Sequence, residues 1–313
     1  MTDGQPIDLQ QKKYGLLFEE LRQSSNYSRA ELKTLFQGVT INRKVLQLMD
    51  KQWEARPYYK YWPLFITPTV IATGKQKLKD HKPVLDRIER ELGVDREIVI
   101  AIWAIESHFG VHKGKYSVFR TLNTLFNSYP RRSNFFRKQL IHFLALCKEN
   151  DFDPLTIKGS YAGAFGQTQF IPSSYREYAL SFDGDKQPDV FNSTDDILAS
   201  IANYLRRFHW NLHETIYYDI GRELKSEKLL KAKLKGRKGR IDWQSITKVQ
   251  KVTLPAPAQN KKLSIVALEQ NPREGGGTRF VAGYPNFQAI TEWNHSNRYA
   301  MAVTELAEKF KAN

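Results

Sequence analysis

The chain is almost without cysteine: Cys147 is the only one among 313 residues, so it forms no intramolecular disulfide and offers no thiolate pair to a metal. It sits in FLALCKEN, inside an apolar helical pattern, and reads as a buried thiol. Long apolar runs are missing too. The longest unbroken one, residues 98–105 (IVIAIWAI), falls well short of the roughly 20 residues that a membrane-spanning helix requires. The first ten residues, MTDGQPIDLQ, carry neither the basic start nor the apolar stretch of a secretory leader. Acidic residues are in short supply, 33 Asp plus Glu against 48 Lys plus Arg, and the resulting net charge of +15 points to a polyanionic partner or surface. No long-period repeat is evident, which excludes a solenoid.

What is present suffices for a substantial core. Hydrophobic residues make up 41% and aromatics 12% of the chain, so disorder is excluded as its main state. Apolar positions at helical spacing predict helices within 14–50 and over 69–92, 95–109, 135–149, 172–181, 195–208 and 296–311. The segment PYYKYWPLFITP (57–68), broken by Pro57, Pro63 and Pro68, reads as an extended connection rich in tyrosine. After Trp210 the texture changes. A very basic stretch (222–240) leads to LSIVALE (263–269), TRFVAGY (278–284) and FQAITEW (287–293), short strand-like runs separated by glycine and proline.

Four features carry candidate chemistry. Glu106 ends the apolar segment IVIAIWAIESHFG, where a carboxylate is costly unless protonated or paired. Desolvation there raises its pKa toward the value a general acid needs, although a Glu emerging into solvent at a helix end gives the same pattern. The second feature is GSYAGAFGQTQFIPSSY (159–175). Its glycines let backbone approach a ligand, and Ser160, Tyr161, Gln167 and Gln169 offer hydroxyls and amides suited to neutral polyols. With no Lys following the glycines it is not a phosphate loop, and a plain turn before a helix is the simpler reading. The third is SFDGDKQPDVFNSTDD (181–196), whose Asp183, Asp185 and Asp195 suggest a calcium loop. Pro188 and Thr194, however, occupy the positions where the twelve-residue pattern needs Gly and Glu. The fourth is the pair His108 and His112, which lacks the Glu after His108 that a zinc-protease helix requires.

Taken together, these segments resemble the lytic murein transglycosylase B family, soluble and lipoprotein enzymes that cleave the glycan strands of bacterial peptidoglycan. AIWAIESHFG resembles the catalytic helix, NSYPRRSNFF the segment after it and GSYAGAFGQTQFIPSSYREYA the glycan-binding turn. SFDGDKQPDVFNSTDDILASIANYLRRFHW continues in register, and YPNFQAITEWNHSNRYAMAV is similar to the closing motif. The resemblance spans about residues 61–306.

It implies a mainly α fold of α+β type. A lysozyme-like helical core (86–210) would follow an N-terminal helical region (1–85) and precede a small β-containing lobe (211–284), with a C-terminal motif and helix (285–313) packing back on the core. Carried over by position, Glu106 matches the sole catalytic acid and base. Ser160 and Gln169 match residues around the cleavage site, Tyr61 an aromatic lining it, and Asn294 and Tyr299 polar contacts of the closing motif. Ser181 departs from the Asp with which many members begin the calcium loop.

The implied reaction protonates the glycosidic oxygen and then lets the muramoyl six-hydroxyl attack the anomeric carbon, giving a 1,6-anhydromuramoyl end without water. The expected partner is the peptidoglycan strand, with other cell-wall enzymes beside it. No cofactor is required, calcium being at most structural. Nucleic acid is not expected, nor is membrane association except through an anchor outside this chain. The expected state is a monomer in the periplasm or cell envelope, with residues 222–240 holding anionic wall polymer. The alternatives are a non-catalytic peptidoglycan-binding scaffold and a lysozyme-type muramidase, the latter needing a second placed carboxylate.

Overall fold

The computed structural model describes residues 2–50 and 56–312, which group into two compact units. The first comprises residues 1–52 and 109–197, the second 53–108 and 198–313. The mainly α character expected from the sequence is what the chain adopts.

In the first unit, helix Lys12–Ser25 buries Tyr14, Leu17 and Leu21 and packs on helix Ser133–Glu149. The Tyr14 ring meets Phe126 edge-on at 5.1 Å between centroids. Helix Arg29–Phe36 starts at a reciprocal cap, the Ser28 hydroxyl accepting from the Glu31 N–H while Glu31 accepts from the Ser28 N–H. Helix Val118–Ser128, absent from the sequence expectations, carries Val118, Phe119, Leu122, Leu125 and Phe126 on one face and buries the polar Thr121, Asn123 and Thr124 as well. Two short antiparallel strands, β1 (Tyr116–Ser117) and β2 (Lys158–Gly159), pair Tyr116 with Gly159 and fix the start of the turn containing Ser160.

In the second unit, helix Arg96–Ser107 is apolar nearly all round and buries Ile98 through Ala104. It packs between helices Pro68–Asp80 and Asn297–Lys311. The last two approach so closely that a Cβ on Gly74 would collide with the Phe310 ring. A small lobe is built on a three-stranded antiparallel sheet of β3 (Tyr217–Gly221), β4 (Ser264–Glu269) and β5 (Thr278–Gly283), in the order β3-β5-β4. Helices Glu227–Leu234 and Trp243–Gln250 contribute Leu229, Ala232 and Ile246 to a core of the lobe's own with Ile220, Leu263 and Ile265.

Three sequence expectations need correction. Residues 57–68 are not extended: Tyr58–Tyr61 form a helical turn and Trp62–Leu64 a 3-10 turn, because each proline falls before or within a first turn, where its missing N–H costs nothing. The predicted helix over 69–92 is two, Pro68–Asp80 and Lys82–Leu92, divided at His81. Residues 287–293 form part of helix Pro285–Asn294 rather than a strand. The aromatic and β-branched content of that short run suggested a strand, but Pro285 opens a helix that buries Phe287, Ile290 and Thr291 on one face.

Candidate active site

Glu106 stands at the penultimate position of helix Arg96–Ser107. The helix starts at Asp95, whose buried carboxylate accepts from the Trp210 indole N–H at 2.8 Å and lies 2.9 Å from His213 Nδ1. It ends at His108 in the left-handed conformation (φ 49°), whose N–H returns to the Ala104 and Trp103 carbonyls. Two more positive φ values follow, at Phe109 and Gly110, so the chain turns sharply just beyond the acid.

Part of the Glu106 side chain keeps contact with solvent, while its carboxyl group is deeply sunk. Oε1 accepts from the Tyr299 hydroxyl at 2.6 Å and from the Trp293 indole N–H at 2.9 Å. Burial pushes the carboxyl up to about 7, against the smaller opposing effect of these two hydrogen bonds, which favour the ionised form. Among the described residues the shift arises from burial and these two hydrogen bonds, without an ionised neighbour. Tyr299 is itself buried and its phenol is held well above its usual range by desolvation and by Glu106, so it remains a donor. Trp293 is placed by helix Pro285–Asn294 and by Tyr204, whose ring lies 4.7 Å away and whose hydroxyl donates to the Glu292 carbonyl. Tyr61 ends its helical turn buried, 5.1 Å from the Phe65 ring and near enough to Tyr299 to affect its titration.

This geometry yields a first expected result. Tyr299→Phe deletes a donor that stabilises the ionised carboxyl, so the Glu106 pKa rises further and the alkaline limb of activity moves up by about one pH unit. A pH–rate profile of the variant checks it; an unmoved limb, or one shifted down, contradicts it.

Of the other sequence candidates, Asn294 is exposed at the end of its helix, and it is Trp293 beside it that reaches Glu106. Sequence reasoning missed Trp293 because 287–293 read as a strand. The residue lay within the closing motif, where helical spacing places it and Tyr299 on successive helices. Ser160, Tyr161, Gln167 and Gln169 belong to the first unit and share one turn. Ser160 Oγ accepts from the N–H groups of Ala162 and Ala164, at 3.2 and 3.1 Å, leaving its own proton free to donate. Gln167 donates to the Phe191 carbonyl at 2.9 Å, and a Cβ on Gly110 would strike its amide. Gln169 adopts φ 49° and donates to the carbonyls of Gly166 and Lys113. Tyr161 is half-buried.

In the acidic loop the carboxylates that gather are Asp183, Asp185 and Asp196, within 4.8 Å of one another. Asp195 is not among them. Successive residues of helix Thr194–Arg207 point about 100° apart, so one of the Asp195/Asp196 pair faces the loop, and it is Asp196. Asp196 is fully buried, accepts from the N–H groups of Phe182 and Asp189, and is raised by desolvation.

A desolvated carboxyl with two donors to one of its oxygens, on a helical scaffold, is the arrangement that general acid chemistry calls for. The comparison with known proteins narrows the class: residues 10–308 match the transglycosylase SLT domain, and the chain belongs to that family of lytic transglycosylases. It is 30% identical over 292 residues to membrane-bound lytic murein transglycosylase B of Escherichia coli strain K12, which covers 90% of this chain and 78% of that protein. Escherichia coli lytic transglycosylase Slt35, solved in complex with bulgecin A, superposes with a TM-score of 0.84 at 28% identity, covering 98% of this chain and 96% of that one. Slt35 has also been solved in complex with calcium. SltB3 from Pseudomonas aeruginosa, solved with NAG-NAM-pentapeptide, has a TM-score of 0.76 at 30% identity, covering 96% and 80% of the two chains. The fold is therefore lysozyme-like, as the sequence resemblance implied, and the chain is an enzyme, a lytic murein transglycosylase.

Proposed function

We propose that the protein cleaves the β-1,4 bond between N-acetylmuramic acid and N-acetylglucosamine of peptidoglycan without water, Glu106 serving as acid and then as base. The observation that carries this reading is the lone, desolvated Glu106. A carboxyl raised to about 7 keeps about half its population protonated at neutral pH and more below it, and no charged neighbour contributes to that shift, as a second catalytic carboxylate some 5 Å away would. In the first step Glu106 gives its proton to the glycosidic oxygen, and the bond from that oxygen to the muramoyl anomeric carbon breaks. The substrate's own acetamido carbonyl stabilises the positive centre. In the second step the ionised Glu106, held by Tyr299 and Trp293, takes the proton of the six-hydroxyl as that oxygen bonds to the anomeric carbon. The enzyme ends as it began, and the product is a 1,6-anhydromuramoyl end.

Ser160, whose hydroxyl proton is free, is proposed to orient the acetamido group. Gln169, Gln167, Tyr161, Tyr61 and Asn294 would contact the sugars. This assignment places the enzyme in the cell envelope, on peptidoglycan strands. Mass spectrometry of fragments released from purified sacculi tests it: muropeptides ending in anhydromuramic acid support the reading, and reducing muramic ends, heavier by one water, overturn it in favour of a muramidase.

We also propose calcium as a structural ion of the acidic loop. The donor set fits a hard cation, since three carboxylates converge and Asp183 and Asp185 are exposed. Asp183, Asp185 and Asp196 would hold the ion, which would supply loop rigidity and no step of the reaction. Millimolar calcium is expected to raise Tm by a few degrees, since binding at a hundred times Kd is worth about 2.7 kcal/mol. Asp183→Asn with Asp185→Asn should remove the shift in a thermal melt; an equal rise in that variant contradicts the assignment.

A further inference from the structure

Residues 222–240 hold nine basic and two acidic residues, so a net +7 of the chain's +15 is packed into 19 positions. The folded lobe adds something the charge alone did not suggest. Helix Glu227–Leu234 seats Leu229 and Ala232 in the lobe's core but sends Leu230 and Leu234 outward, 45% and 69% exposed, four residues apart and hence on one face. Six of the nine basic residues are lysines. Among the described residues no ion pair holds Lys225, Lys233, Lys235 or Lys238. Lys231 pairs only with Glu227, both of them exposed. Two arginines, by contrast, are committed inside the fold, Arg237 to Glu292 and Arg240 to backbone carbonyls.

We propose that this face of the lobe docks on an anionic lipid bilayer, with Leu230 and Leu234 entering the headgroup boundary and the surrounding lysines lying against acidic headgroups. The charge complementarity suits any polyanion, but the leucines discriminate. A carboxylate-bearing glycan offers an exposed leucine pair nothing apolar, whereas a bilayer interface takes in both parts of a basic amphipathic surface. A protein partner is the poorer fit. A stable interface buries about 800 Å² on each side, and an eight-residue helix presenting two leucines among loosely held lysines falls short of that. Flexible lysines also suit a diffuse headgroup layer better than the fixed fork of arginine. Such docking would hold the enzyme at a membrane surface through its folded body, in contrast to the sequence expectation that only an external anchor could do so.

The test is co-sedimentation of the full-length chain with vesicles of equimolar phosphatidylglycerol and phosphatidylcholine, with vesicles of phosphatidylcholine alone, and with purified sacculi. Of the two vesicle types only the anionic one is expected to bind, weakening as salt rises, while sacculi bind independently as substrate. Leu230→Ser with Leu234→Ser leaves every charge in place and is expected to weaken that binding at least about tenfold, while Tm and sacculus digestion stay at parental values. Lys225→Glu with Lys235→Glu and Lys238→Glu should weaken it further. The proposal is overturned by an absence of vesicle binding, or by a serine variant that binds as well as the parent. It is equally overturned if the lysine variant loses sacculi and keeps vesicles, which would assign the face to the wall polymer. None of these outcomes bears on the role of Glu106.

Discussion

Glu106→Gln is expected to lower turnover on sacculi by about four orders of magnitude while leaving the fold and sacculus binding intact. General acid–base catalysis contributes typically 10²–10⁴-fold, and the upper end applies here because one carboxyl serves in both proton transfers. Glutamine keeps the shape and can still accept from Tyr299 and Trp293, so the loss isolates the proton. The parent should lose activity as pH rises through about 7, where Glu106 ionises and can no longer protonate the leaving oxygen. Initial rates across pH, with binding measured in parallel, check both parts. A variant that retains a tenth of parental turnover would contradict the assignment.

The same carboxyl sets up a stability effect of opposite sign. In the unfolded chain Glu106 titrates near its ordinary 4.5, and in the folded chain near 7. Between those values the folded protein holds a proton that the unfolded chain does not. The contribution of Glu106 is therefore fully present below pH 4.5 and is lost as pH rises through 7. The loss is about 3 kcal/mol, at 1.36 kcal/mol for each unit. Glu106→Gln carries no such burden. It should melt with the parent near pH 4 and several degrees above it at pH 8, so the inactive protein is the more stable one where the active one works. Paired melts at the two pH values measure this, and a variant no more stable than the parent at pH 8 would mean that the carboxyl is not desolvated.

The parts of this architecture that rest on periodicity were legible in the sequence. Helix Arg96–Ser107 announced itself by an apolar run with a single carboxylate near its end, and the helices within 14–50 by regular leucine spacing. Other parts depend on packing that no local pattern encodes. The burial of Thr121, Asn123 and Thr124 in helix Val118–Ser128 is not encoded by its apolar stripe, and Phe287 to Trp293 has strand-like composition yet is helical because Pro285 and its neighbours in the second unit make it so. The same limit applied at the site. Tyr299 could be named from its motif, but Trp293 as the second donor, and Asp196 rather than Asp195 among the gathered carboxylates, follow from which way one helical residue faces relative to the next.

The central claim is that burial, opposed only in part by Tyr299 and Trp293, keeps a large share of Glu106 protonated at neutral pH. Infrared difference titration of the parent against Glu106→Gln tests it most directly, since subtraction leaves the protonated carboxyl band of Glu106 alone. The account requires that band to persist through pH 6 and to vanish with a midpoint near 7. A midpoint between 4 and 5 would contradict it, for the carboxyl would then be ionised at neutral pH and have no proton to give.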